Sequence, residues 1–164
     1  MTEFRLIPPS EYRQYYEVLH EGYQSVKQYP ISFDAADTDE AEAKEWLSNH
    51  PTYGLYEETV LVSAVSLRMP WGNLPGPSGV PHIGRIVTHP NYKGRGYAKK
   101  LFHQLEQEVL IQQLRTPRVT LGTASTHPWL KKMYEQLGFE AFDQVQLPNK
   151  QHVTIYFEKN YKGE

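Results

Sequence analysis

The chain has 164 residues, a formal net charge of -2, seven histidines and no cysteine, a length that suits one compact domain, 1–164, with a core of its own. So small a charge speaks against a general nucleic-acid binder, which carries a basic excess. The missing cysteine excludes disulfides, a cysteine nucleophile or thioacyl relay, and Cys-based zinc sites. No stretch approaches the ~20 apolar residues of a membrane span and the first ten residues hold no apolar targeting core, so the expectation is a soluble, cytoplasmic protein with no nucleic-acid or membrane partner.

In chain order, residues 3–7 (EFRLI) read as a short strand, and Pro8-Pro9-Ser10 supplies a break with Ser10 as helix N-cap. Tyr12, Tyr15, Tyr16, Leu19, Tyr23 and Val26 then recur at three- and four-residue spacing, the apolar stripe of a helix lying on a core. After a loop, Asp37 or Thr38 caps a second helix that runs through Trp46 and Leu47 until His50-Pro51 ends it. Residues 52–68 read as two strands joined at Glu57, Glu58 and Thr59. Residues 69–81, with four prolines and three glycines, form an exposed loop.

HIGRIVTH (82–89) is the next strand, stopped by Pro90. Tyr97, Ala98, Leu101, Phe102, Leu105 and Val109 mark a helix from 96 to 114. Residues 118–124 form a strand, 127–139 a short helix ended by Gly138, and 153–159 an alternating, half-buried antiparallel strand. The order β-α-α-β-β-β-α-β-α-β-β predicts an α/β fold, a mixed sheet with helices on its faces.

One stretch, NYKGRGYAKKLF (91–102), crowds Lys93, Arg95, Lys99 and Lys100 around Gly94 and Gly96 where a loop turns into a helix. Glycines let backbone N–H groups approach a ligand closely, and the helix opening there presents unsatisfied N–H groups and a positive dipole end. Together these make a local anion site. Two phosphate-binding patterns fail. The only Gly-x4-Gly, Gly79 to Gly84, continues as Arg85-Ile86 and so lacks the P-loop lysine and hydroxyl. The dinucleotide pattern needs a third glycine where Lys99 stands.

The chain here resembles the GCN5-related N-acetyltransferases, the GNAT superfamily. Their acetyl-coenzyme A motif, Arg/Gln-x-x-Gly-x-Gly/Ala after a strand reading hydrophobic-x-Val-x-Pro, is matched by IVTHPNYKGRGYA. Ile86, Pro90, Gly96 and Ala98 fit; Lys93 replaces the usual Arg or Gln and Thr88 the usual Val. Their later motif, Asn-x-x-Ala-x-x-x-Tyr-x-x-x-Gly-Phe, resembles HPWLKKMYEQLGF, with Tyr134, Gly138 and Phe139 in register, His127 in the Asn place and Leu130 in the Ala place. The resemblance spans about residues 53 to 158 and implies a central twisted mixed sheet of six to seven strands flanked by about four helices.

It also implies the chemistry. Two central parallel strands splay apart, so that backbone groups of Ile86, Val87 and Thr88 pair with the pantetheine of acetyl-CoA. N–H groups from Gly94 through Arg95, Gly96 and Tyr97 to Ala98 cradle the pyrophosphate, with Lys93, Lys99 and His127 beside it and Lys100 or Lys131 near the anionic end. A primary amine attacks the thioester directly, a backbone N–H of Val87 or Thr88 stabilises the oxyanion, and Tyr134 protonates the departing thiolate. No base stands out: His82, His89, His127 or water could remove the amine proton. The histidines show no metal-ligand spacing, so no metal is expected.

The acceptor, a small-molecule or peptide amine, should enter between the first two helices, the 69–81 loop and the C-terminal strands. Tyr12, Tyr15, Tyr16, Tyr29 and Trp71 with Asp34, Asp37, Asp39 and Glu40 there would suit a cationic amine. Two alternatives stay open: a non-catalytic acyl-CoA binding or sensing domain, and an acyltransferase with another acyl group or acceptor. Family members are often homodimers.

Overall fold

A computed structural model describes residues 2–24, 38–127 and 129–161. Val26, Tyr29, Asp34 and Asp37 lie outside the described residues. Seven strands, β1 (Thr2–Leu6), β2 (Thr52–Glu57), β3 (Val60–Arg68), β4 (His82–Thr88), β5 (Arg118–Ala124), β6 (Glu140–Val145) and β7 (Thr154–Asn160), form one sheet in the order β1-β2-β3-β4-β5-β7-β6. All neighbours are antiparallel except β4 and β5. Four helices accompany it: α1 (Tyr12–Tyr23), α2 (Glu40–Asn49), α3 (Tyr97–Gln104) and α4 (Leu130–Gln136). Architecture and element order are those expected.

Each face of the sheet carries its own core, so β3 is buried from Leu61 to Leu67 and reads as a continuous apolar and small-residue run. On one face Tyr15, Val18 and Leu19 of α1 and Ala43 and Leu47 of α2 pack on Leu61, Ala64 and Val87. On the other, Leu101 and Phe102 of α3 join Val62, Val65, Ile83, Leu121, Tyr134, Phe139 and Phe157. Helix α1 approaches β4 so closely that a Cβ on Gly22 would lie 2.1 Å from Val87 Cγ2. Gly22 is the residue that lets the two backbones meet.

Three local expectations change. Ser10 does not cap α1; Pro9–Glu11 forms a 3-10 turn first, and the helix begins at Tyr12 with no side-chain cap. Asp39, rather than Thr38, caps α2 in a full capping box with Glu42, one residue beyond the expected place. The helix expected over 96–114 is α-helical only to Gln104 and continues as wider π-helical turns over Leu105–Gln113. That winding turns Glu106 inward, where Lys159 Nζ (2.8 Å) and the Tyr161 hydroxyl (2.7 Å) donate to it.

Candidate active site

β4 and β5 pair only at His82↔Thr120 and Ile83↔Leu121, although β4 continues to Thr88 and β5 to Ala124. β5 stays paired along its whole length with β7, and β4 with β3, so the two strands part beyond Ile83 and leave a gap through the middle of the sheet. On the β3 side the register slips opposite Ala64–Ser66, and the extra residue, Arg85, has φ 50°. This bulge re-aims the backbone next to the gap. The Ile86 carbonyl accepts from the Tyr23 hydroxyl (3.3 Å), the Val87 carbonyl from Ser63 Oγ (2.9 Å), and Ser63 Oγ also meets Thr88 Oγ1 (3.0 Å).

At the open end of β4, His89 caps a 3-10 turn, Pro90–Tyr92, by accepting from the Asn91 N–H (3.2 Å). Gly94 and Gly96 follow with φ 79° and 78°, and a Cβ on either would meet nothing within 4 Å. The glycines are thus needed for backbone conformation, while the space above them stays open. Gly96 is the N-cap of α3, and no side chain bonds to that helix start. Its leading N–H groups, from Tyr97 to Lys99, have no acceptor within the helix.

The cations around the loop diverge. Lys100 Nζ donates to Thr2 Oγ1, and the Tyr97 hydroxyl donates to Glu57, which ties the helix start to β1 and β2. Arg95 lies 5.4 Å above the Tyr92 ring. Lys93, Lys99 and Lys131 are exposed. After burial, Lys93 is the second cause holding His127 below the ordinary histidine pKa. His127 itself is buried, edge-on to Trp129 (4.5 Å), and its Nδ1 accepts from the Trp129 N–H (3.5 Å).

Tyr134 comes up from α4, its ring packed against Phe139 and Phe157, both 6.0 Å between centroids. Gly138, at φ 99°, ends α4 and lets the Phe139 N–H return to the Tyr134 carbonyl (3.0 Å), which fixes that packing. Burial pushes the Tyr134 phenol well above the ordinary value, so it is protonated at neutral pH. Tyr23 comes down from α1 on the opposite face; its phenol is raised first by burial and next by Tyr134.

A model of the acetyltransferase (GNAT) family matches residues 13–139, and the S-(2-succino)cysteine N-acetyltransferase of Bacillus subtilis (strain 168) is 34% identical over 98% of this chain and 97% of its own. The chain belongs to the GNAT acetyltransferase family. The S-alkylcysteine N-acetyltransferase of the same organism is 31% identical over 85% of this chain and 79% of its own. Among solved structures, the PaiA N-acetyltransferase of Thermoplasma acidophilum in complex with coenzyme A has a TM-score of 0.74 at 14% identity over 98% of this chain and 99% of that one. The expected function, acetyl-CoA-dependent N-acetylation of an amine, agrees with that membership, and the enzyme reading displaces the sensing domain.

In this GNAT protein the split strands, the open glycines and the α3 N-terminus adjoin one another and fit an extended, anion-tipped acetyl donor. The other histidines do not gather there. His82 sits at the paired end of β4, buried, with Nδ1 2.8 Å from Thr120 Oγ1, and burial holds its pKa at about 3. His89 turns toward Glu17 of α1 (4.0 Å). Trp71, expected near the acceptor, lines a cleft with Pro81 and Pro117, at the opposite end of the sheet from the glycine loop. Asp39 is consumed by capping, and Glu40 faces Arg13 (4.0 Å). Among the described residues no helix is long and apolar enough to cross a membrane, and no three acidic or histidine side chains gather as a metal site.

His82 makes the fold acid-sensitive. A histidine held at about 3 when folded and near 6.5 when unfolded binds more protons unfolded. Its contribution is complete above pH 6.5 and is lost as pH falls from 6.5 toward 3. Lowering the pH from 7 to 5 should cost about 2 kcal/mol through this residue. Urea denaturation at both pH values should show that drop in wild type and less of it in His82→Gln.

Sequence reasoning missed Arg85 and Gly22 and read Tyr23 only as part of a stripe. The available signal for Arg85 was a lone charge inside the apolar strand HIGRIVTH. Gly22 inside a helix was a second signal, since a helical glycine costs about 1 kcal/mol against alanine unless something demands it.

Proposed function

We propose that this protein transfers the acetyl group of acetyl-CoA to the α-amine of an S-substituted cysteine, acting as a single cytoplasmic domain. One observation carries the acceptor: two relatives, similar over most of the chain, act on cysteines whose sulfur carries different substituents, succino and alkyl. What those acceptors share is the amino-acid end, with its amine and carboxylate one carbon apart. Backbone groups of Ile86, Val87 and Thr88 along the gap hold the pantetheine. N–H groups of Gly94, Arg95, Gly96, Tyr97 and Ala98 hold the pyrophosphate, with Lys93, Lys99 and His127 at its margins.

The amine nitrogen attacks the thioester carbonyl carbon, and the electron pair moves to oxygen, where a backbone N–H of Val87 or Thr88 stabilises it. When the oxyanion collapses, the C–S bond breaks and Tyr134, protonated because it is buried, gives its proton to the sulfur. The ammonium proton leaves through water or His127, which is neutral at pH 7 because its pKa is depressed.

The test is coenzyme A thiol release with S-(2-succino)cysteine, S-methylcysteine, a polyamine and an alanine-ended peptide. Neither cysteine derivative carries a free thiol, and the protein has none, so background is low. The cysteine derivatives should have the highest kcat/KM. A polyamine or peptide that outruns both overturns the proposed acceptor.

A further inference from the structure

Arg85 is a cation without a counter-charge among the described residues. At the β4 bulge it adopts φ 50°, a conformation that non-glycine residues hold mainly where surrounding structure forces it, often at ligand clamps. Its guanidinium carbon stacks 3.6 Å over the Trp46 ring. Nη1 is shielded from solvent and has no hydrogen-bond acceptor, and no carboxylate pairs with the guanidinium among the described residues. The residue as a whole is only half-buried.

A second donor waits beside it. The Tyr15 hydroxyl, on a fully buried ring, also lacks a hydrogen bond of normal geometry. Arg85 and Ser66 are near enough to oppose the rise that burial imposes on its pKa. Ser66 Oγ is already engaged by Trp46 Nε1 and Thr52 Oγ1, both at 2.8 Å. His50, whose ring is tilted against Trp46 at 4.0 Å, is held below the ordinary histidine value by burial first and then by Arg68 and Arg85. The cluster therefore has donors and positive potential but, among the described residues, no anionic acceptor. Buried polar groups are normally satisfied, so a missing anionic partner is the economical explanation.

Arg85 also adjoins the transfer centre. It directly precedes Ile86, whose carbonyl holds Tyr23, and Tyr23 senses Tyr134, Tyr15 and Arg85 together. We infer that Arg85 and Tyr15 form the recognition site for the carboxylate of the acceptor, Trp46 holding the guanidinium plane in place. Arginine suits this task because its planar fork matches a carboxylate. The site rests on the amino-acid acceptor proposed above and names the atoms that would select it: the α-carboxylate, anchored at Arg85, sets the α-amine beside the thioester.

The experiment compares S-methylcysteine with S-methylcysteine amide, which differ only at the carboxylate. Wild type should prefer the acid, and Arg85→Met should lower the acid-to-amide ratio of kcat/KM by roughly 10²-fold. Arg85→Lys, which keeps charge but not the fork, should fall between, and Tyr15→Phe should lower the ratio about tenfold. The ratio cancels any loss of folded enzyme. An unchanged ratio in Arg85→Met overturns the inference, as does a wild type indifferent to the carboxylate. If S-(2-succino)cysteine retains its rate as the α-amide and loses it in Arg85→Met, the recognised carboxylate belongs to the substituent. Should cysteine derivatives prove inert while other α-amino acids outrun their amides, the proposed acceptor fails and the carboxylate site stands. Calorimetric titration of the coenzyme A-loaded protein with S-methylcysteine closes the remaining case: binding weakened by Arg85→Met supports the site, and no binding at millimolar concentration overturns it.

Discussion

Tyr134→Phe should lower kcat by roughly 10²- to 10³-fold while changing coenzyme A affinity less than about threefold, the mark of a lost general acid. The ring is 4% exposed and wedged between Phe139 and Phe157, so phenylalanine refills its space. Among the described residues the hydroxyl makes no hydrogen bond that the substitution would break. Stability should therefore hold within about 0.5 kcal/mol. Because burial holds the phenol above its ordinary 10.0, wild-type kcat should show no loss of this acid below pH 10. Steady-state kinetics with thermal melts decide the matter: equal kcat in the two proteins removes Tyr134 from the chemistry, and a lower melting temperature makes it a packing residue.

Gly22→Ala tests the seat of α1 on β4. Alanine would gain about 1 kcal/mol of helix propensity, but its Cβ would stand 2.1 Å from Val87 Cγ2 and 3.1 Å from the Thr88 carbonyl. Overpacking of this kind costs about 1–3 kcal/mol, and the backbone oxygen cannot rotate away. The clash wins: a net loss of about 1–2 kcal/mol is expected from urea denaturation. The helix must also back away from β4, carrying the Tyr23 hydroxyl off the Ile86 carbonyl beside the gap. A displacement near 1 Å at a reacting centre can cost about 10²-fold, so kcat/KM should fall tenfold or more. Val87→Ala removes the clashing methyl and should restore part of both losses in the double variant. Full activity and stability in Gly22→Ala alone would show that α1 does not position the site.

Much of this was legible in one dimension because its causes are local. The glycines at 94 and 96 announced a loop turning into a helix start, and both take left-handed backbone there. Gly138 announced the end of α4. Alternation and periodicity placed every strand but β6, which was counted only in the order of elements, and the four helices, since each pattern reflects a side chain's own neighbours one turn or one pleat away. The cap of α2 missed by one residue because Asp37, Thr38 and Asp39 are all competent acceptors and only the chain path chose among them.

The π-helical stretch was not legible, because Leu105 and Val109 suit either winding; the distant partners of Glu106, Lys159 and Tyr161, sit on the inner side of the wider one. Nor were the aims of the cations. Lys93, Arg95 and Lys100 lie within eight residues, yet Arg95 lies over Tyr92, Lys100 bonds Thr2 and Lys93 acts electrostatically on His127.

By itself, then, the sequence determined the order of elements, the place of the glycine-rich helix start and the family motifs, all of which depend on contacts within a few residues. Tertiary structure decided where β4 and β5 part, that Tyr23 reaches the Ile86 carbonyl beside the gap, and that Arg85 lies half-buried with no carboxylate partner among the described residues. Each of those joins residues dozens of positions apart, and burial and electrostatic potential exist only once those residues share a space.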